Sequence, residues 1–330
     1  MTTTKSKRRV RFSVAQSNQH IEWADYVAAL KAADEMAFET FWSFDHLMPI
    51  GGDSDGSCHE CYTTLAAHAA LTKRIRIGAL VTGAAYRNPA LQIKMATQID
   101  VISNGRLDFG IGAGWAEREY RAFNIPFHSP KERIGTLRET LVLAKRLWSG
   151  DPTKKVTYEG KYVQAHDLFL NPQPVQKPRP PILIGGGGRR VLQLAGQAAD
   201  IVGINPSMRP GRPAGRALLD LTGERVAAKV AIAREAARAA GRDPDALRYQ
   251  TSVLALTVTD APRHGSWVSS LAADVRDPAV LASSPAVLRG SVADCVDTLL
   301  RRREELGLDY FHFGGDPLAA APIVARLAGT

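Results

Sequence analysis

The chain has 330 residues, 45% hydrophobic and 23% charged, the composition of a globular protein able to build a full core. Its net charge of +9 comes from 42 Lys and Arg against 33 Asp and Glu, spread along the length. No aromatic-interleaved basic stripe accompanies that charge, which argues against a nucleic-acid partner and suits a polyanionic small molecule. No apolar run reaches the ~18–20 residues of a membrane span, and three cysteines make no disulfide framework.

Residues 1–9 are basic and polar without an apolar middle and read as a disordered lead-in to a cytoplasmic protein, with 10–330 as one domain. Val10–Ala15 alternates as a strand, and Ile21–Phe38 has helical spacing. Thr40–Asp45 is a second strand, followed by a Gly/Asp loop at Gly51–Gly56 and a helix near Cys61–Lys73. Arg74–Val81 predicts strand three, with a helix opened by Pro89 and running to about Ser103. Arg106–Gly112 is strand four, followed by a helix over Pro130–Trp148 and a hairpin over Thr157–Gln164. Five prolines between Pro172 and Pro181 bar helix until strand five at Ile182. Asp200–Ile204 is strand six, and Pro206–Gly215 has the composition of a flexible lid. An Ala-rich helix runs to about Ala240, Tyr249–Thr257 predicts strand seven, and Arg263–Pro285 is irregular. A helix at Ala293–Leu306, strand eight at Asp309–Phe313 and a last helix complete the chain.

Eight strand–helix units in alternation predict an α/β fold of the (β/α)8 TIM-barrel type, with insertions after strands 4, 6 and 7. Active-site groups then belong at the C-terminal ends of the strands. A doubly wound sheet is the alternative, but no Gly-x-Gly-x-x-Gly follows the first strand.

Strand five runs into its helix through Gly185–Gly188 and then Arg189 and Arg190. Such a junction bares backbone N–H groups to an anion and adds fixed positive charge, so Gly186, Gly187, Gly188 and Arg189 are candidates for a phosphate clamp. The competing reading is a tight connection only.

Asp45 and His46 end strand two, where a carboxylate and an imidazole could exchange protons with a ligand or simply cap the next segment. Gly83 suggests a bulge or a backbone approached by a flat ligand. Gly110, Gly112 and Gly114 strip side chains from one strand face, making room for something planar, with Trp115 as a wall or a core residue. Glu119 or Tyr120 could point into that room. His312 on strand eight reads as a buried, hydrogen-bonded histidine. Cys58-His-Glu-Cys61 is half a metal motif with no second pair, and no metal is expected.

Taken together, Ser43-Phe-Asp-His46, Tyr86-Arg-Asn-Pro89, Gly105-Arg-Leu-Asp-Phe-Gly-Ile-Gly-Ala-Gly-Trp115, Glu119-Tyr120, Asn171-Pro-Gln-Pro174 and Pro180-Pro-Ile-Leu-Ile-Gly-Gly186 resemble the luciferase-like monooxygenase family, particularly its coenzyme F420-dependent oxidoreductases. The likeness spans about residues 10–205. It implies a barrel holding a flavin or deazaflavin in its mouth. Asp45 and His46 would meet ring or substrate. Val81, Thr82 and Gly83 would form a bulge, often with a cis peptide, against the ring. Ala113, Gly114 and Trp115 would lie along the ring and ribityl chain, Tyr120 near the phosphate, and Gly186, Gly187, Gly188 and Arg189 around it. A homodimer through helices two and three is also implied. Two departures stand out: Cys61 replaces a frequent Trp, and Trp115 replaces the proton-donating Glu of the sugar-phosphate dehydrogenase branch. His46 is therefore the proton-transfer candidate.

The expectation is an F420-dependent oxidoreductase moving a hydride between the deazaflavin and a small organic substrate. The alternatives are an FMN-dependent monooxygenase served by a separate reductase, and a flavin- or deazaflavin-binding protein without turnover.

Overall fold

The structure, a computed structural model, describes residues 8–207, 218–261 and 278–329. Its centre is a sheet of parallel strands closed on itself. In chain order these are β1 (Arg11–Ala15), β2 (Thr40–Ser43), β3 (Arg76–Ala79), the short β4 (Thr82–Gly83) and β5 (Leu107–Gly112). After the outer antiparallel hairpin β6 (Val156–Glu159) and β7 (Gln164–Leu168) come β8 (Ile182–Gly186), β9 (Ile201–Ile204) and β10 (Arg248–Val253). β11 (Ala255–Val258) and β12 (Val287–Gly290) form a separate parallel pair, and β13 (Tyr310–Gly314) returns to the barrel. The order β3-β2-β1-β13-β10-β9-β8-β5 closes through the β3–β5 pairing, so the predicted eight-stranded barrel forms.

Helices shield the outside: α1 (Trp23–Glu35), α2 (Cys61–Leu71), α3 (Pro89–Ile102), the short α4 (Glu117–Ala122), α5 (Pro130–Ser149), α6 (Arg189–Ala198) and α7 (Gly223–Ala239), then helices over Pro278–Ser283, Val292–Leu306 and Pro317–Leu327. Their starts carry local signals. Asn88 caps α3 with Pro89 in its first turn, and Ser129 with Glu132 makes a capping box on α5. Among the described residues no helix is long and apolar enough to cross a membrane.

Strand alternation separates two cores. The large one, including Phe12, Phe41, Phe311 and Phe313, joins the sheet to the helices. The small one lies inside the barrel and consists of Ala15, Trp42, Leu183, Ile201 and Tyr310, with Phe44, Leu80 and Val81 against it. Its floor carries a charged network: Arg76 Nε donates to Asp108 at 2.9 Å, and Thr40 Oγ1 donates to the other carboxylate oxygen at 2.8 Å.

Two predicted strands are corrected. Strand three stops at Ala79, passes a cis Leu80–Val81 peptide and resumes as β4 against β5. Strand seven leaves the barrel at Leu254, where the N–H groups of Leu254 and Ala255 both donate to Ala286 O and start the outer pair. A continuous apolar run reads the same in either case, because periodicity does not say which neighbour a strand pairs with. The region predicted to be irregular after Arg263 includes the helix at Pro278–Ser283. Its residues 263–277, and all of the proposed lid but Pro206 and Ser207, lie outside the described residues.

Candidate active site

Every element that carries a candidate group reaches the C-terminal rim of the barrel. Asp45 and His46 follow β2, Arg87 precedes α3, Trp115 and Glu119 follow β5, and the glycine junction follows β8.

His46 is held by a residue 73 positions later. Its Nδ1 lies 2.9 Å from Oε2 of Glu119, whose side chain is 1% exposed. The same carboxylate accepts from the N–H groups of Leu47 at 3.0 Å and Met48 at 3.2 Å, and from the Tyr86 hydroxyl. Burial alone would raise the Glu119 pKa, but the hydrogen bonds from His46 and Tyr86 and the Met48 N–H outweigh it and hold the carboxyl below its usual range. Burial and that same bond push the Tyr86 phenol far up, so Tyr86 stays protonated and donates. An ionised carboxylate at Nδ1 favours a proton there and leaves Nε2 as the ring nitrogen turned away from Glu119. Nε2 has no hydrogen bond among the described residues. Trp115 stands edge-on to His46 at 5.7 Å between ring centroids and is 41% exposed, so it is a wall of the mouth and not a core residue.

Asp45 is engaged differently. Arg87 grips it with two bonds, 2.7 and 2.9 Å, and Thr82 donates to the same carboxylate. Arg87 also reaches Glu60, the N-cap of α2, and lies 4.7 Å over the Tyr62 ring. Asp45 is 2% exposed, with both oxygens occupied, which fits it for positioning the β2–His46 turn and not for passing protons. Cys58 donates to His46 O at 3.3 Å. Among the described residues no cluster of three His, Cys, Asp or Glu side chains could hold a metal.

The glycines expected to clear room for a ring are used by the protein itself. A Cβ on Gly110 would fall 1.9 Å from Ala79 O, one on Gly112 2.8 Å from Val81 Cγ2, and one on Gly114 2.2 Å from the Tyr120 hydroxyl. Val81 also presses on Gly185, and the flat group over Gly83 is the chain's own Tyr86 ring. Tyr120 is fully buried, its hydroxyl without a partner.

At the β8–α6 junction the backbone of Asn205–Ser207 covers Gly187, within 2.2–2.5 Å of where a Cβ would stand, and Val191 fills the space at Gly186. Lys229 pins that cover by donating to Asn205 O at 2.8 Å and to the Asp220 carboxylate at 2.8 Å. Among the described residues Gly188 alone of these three is open, its nearest neighbour there Ser207 Oγ at 4.0 Å. It is also the N-cap of α6 and offers no side chain to the first-turn N–H groups. Arg189 and Arg190 are exposed beside it.

Residues 9–263 match the family described as luciferase-like monooxygenase. The chain belongs to the luciferase-like monooxygenase family. It is 34% identical over 169 residues to an F420-dependent glucose-6-phosphate dehydrogenase of Kineococcus radiotolerans, a match covering 51% of this chain and 48% of that protein. It is 29% identical over 248 residues to an F420-dependent hydroxymycolic acid dehydrogenase of Mycobacterium tuberculosis, covering 75% and 63%. The match thus spans about half the length of the first of these relatives. Among solved structures, an F420-dependent secondary alcohol dehydrogenase in complex with an F420-acetone adduct shares the fold, with a TM-score of 0.77 at 18% identity over 98% of this chain and 100% of that one. In this luciferase-like barrel Glu119, expected only to point into the room beside the glycines, is the partner of His46, and Arg87, to which the sequence assigns no role, is the partner of Asp45. The Glu119-Tyr120 dipeptide after the glycine run was the available signal for the first.

Proposed function

We propose that the chain is an F420-dependent oxidoreductase that moves a hydride between the deazaflavin and a small organic substrate. The observation that carries this reading is the His46–Glu119 pair at the rim, with Nε2 of His46 unengaged beside the exposed Trp115. The junction after β8 suits the anionic tail of such a cofactor: an uncapped helix start, one open glycine and two exposed arginines. The matches to F420-dependent dehydrogenases support the same choice. When bound, the deazaflavin supplies a carbon that takes or gives a hydride and reacts poorly with oxygen.

The chain's own residues do the rest. Glu119, itself held by the Tyr86 hydroxyl, holds His46, which takes a proton from an alcohol oxygen or returns one to a carbonyl oxygen at Nε2. Asp45 and Arg87 fix the turn on which His46 stands. Trp115 keeps water from one side. Leu71 on α2 and Leu91 and Ile102 on α3 are exposed apolar side chains on the two helices through which the homodimer is expected.

The test is titration of the apoprotein with F420 and with FMN, followed by assay on secondary alcohols and enones. Tighter binding of F420 and turnover lowered by about 100-fold or more in His46→Ala support the reading. Preference for FMN, or binding without turnover of any substrate, overturns it.

A further inference from the structure

The interior of the barrel differs between its two halves. On the β3–β5–β8 side it is filled by Trp42, Leu80, Val81 and Leu183, and Ile201, Tyr310 and Ala15 complete the same core. On the opposite side three adjacent strands, β10, β13 and β1, place Ser252, His312 and Ser13 in one register row. Tyr310 belongs to the interior core, so alternation turns His312 and Gly314 inward as well, and Ser13 and Ala15 on β1 share that face. On β1 and β13 the inward positions next above the row, toward the mouth, are Ala15 and Gly314, and β10 leaves the barrel at Leu254.

His312 therefore stands under two small residues, with Ser13 buried on one side of it in the row and Ser252 partly exposed on the other. Its Nδ1 lies 3.2 Å from Ser13 Oγ, and its Nε2 has no hydrogen bond among the described residues. One position below Ser252 on the same inward face, Gln250 is 1% exposed with its Nε2 unpartnered. A largely buried row of polar groups left partly unsatisfied, under small side chains, is the arrangement expected where a polar atom of a ligand enters. Burial presses the His312 pKa down to about 3, which keeps the ring neutral and suits an uncharged partner.

The features matched to the cofactor (the β4 bulge, Trp115 and the β8–α6 junction) all lie on the other half of the rim. His46 follows β2, the neighbour of β1, and so flanks those two small residues. We infer that His312 is a substrate-contact residue, the floor of a compartment over β10, β13 and β1, where it hydrogen-bonds the oxygen of an uncharged alcohol or carbonyl substrate. The identity of the ligand as substrate rests on the oxidoreductase reading above. The existence of the compartment does not.

The test uses the whole chain with its eight histidines labelled with nitrogen-15. F420 is titrated first, and its failure to bind counts against the oxidoreductase reading alone. Cyclohexanol, cyclohexanone and the anionic glucose 6-phosphate are then added separately. The His312 resonance, assigned by its loss in His312→Phe, is expected to shift saturably with the neutral probes and not with the sugar phosphate. His312→Phe should weaken the neutral probes about three- to tenfold, the worth of one neutral hydrogen bond, and leave F420 affinity within about twofold. His312→Gln, which keeps a polar group, should restore part of the loss and serves if the Phe variant does not fold. An unmoved His312 signal, absence of neutral-probe binding, or a response to the sugar phosphate alone overturns the inference.

Discussion

Glu119 Oε2 and His46 Nδ1 lie 2.9 Å apart across 73 residues of chain, with the Tyr86 hydroxyl bonded to the same carboxylate. The pair sets which nitrogen of His46 faces the mouth. Replacing His46 with Ala should lower turnover by about 10²–10⁴-fold, the range of general acid–base catalysis. Glu119→Gln keeps the shape but loses the charge, and should lower kcat by about 10- to 100-fold while shifting the pH profile of kcat/KM. Equal loss in both variants with no pH shift would mean that Glu119 serves folding only.

Asp45 and Arg87 form a bidentate pair at the edge of the same site. Arg87→Met leaves a buried carboxylate without its cation and should destabilise the fold by about 3–5 kcal/mol. Asp45→Asn with Arg87→Met should recover most of that loss, since the uncompensated charge is gone. Urea denaturation of the single and double variants decides this.

Gly187 and Gly188 are adjacent and should respond unequally. An Ala at 187 meets the backbone of Asn205 at 2.2 Å, so Gly187→Ala should cost about 1–3 kcal/mol of stability. Among the described residues an Ala at 188 meets nothing closer than 4.0 Å, so Gly188→Ala should cost only the roughly 0.5–1 kcal/mol by which Ala is the poorer N-cap. A loss of F420 affinity in Gly188→Ala, read by fluorescence titration, would then report on the ligand and not on the fold.

Acid should destabilise the protein through its buried histidines. His68 lies between Tyr26 and Phe41 with neither nitrogen bonded, and burial presses its pKa, like that of His312, to about 3. Unfolded, each titrates near about 6.5, so between those values the unfolded chain binds more protons. Stability is therefore complete above about pH 6.5 and falls as pH drops toward 3, by roughly 2 kcal/mol per histidine at pH 5. Glu119, held below its usual pKa, adds a loss in the same direction at lower pH. His68→Phe, apolar in an apolar cage, should remove about half of the histidine-driven loss between pH 7 and pH 5.

The barrel was legible along the chain because strands and helices declare themselves through spacing over a few residues. The Asn88-Pro89 start of α3, the β6–β7 hairpin and the glycine junction after β8 were all readable in that way. His46 was also visible, as a histidine at a strand end.

Its partner was not, nor was the use to which the glycines are put. The sequence by itself determined the eight barrel strands in order, the rim on which the reactive groups lie and the family. The closed sheet decided that Glu119 orients His46, that Arg87 occupies Asp45, and that Val81 and Tyr120 take the room beside Gly112 and Gly114. The reason is physical: spacing is a property of neighbours in the chain, whereas these contacts depend on strand register and barrel closure, which bring distant segments within 3 Å only after the whole sheet has formed.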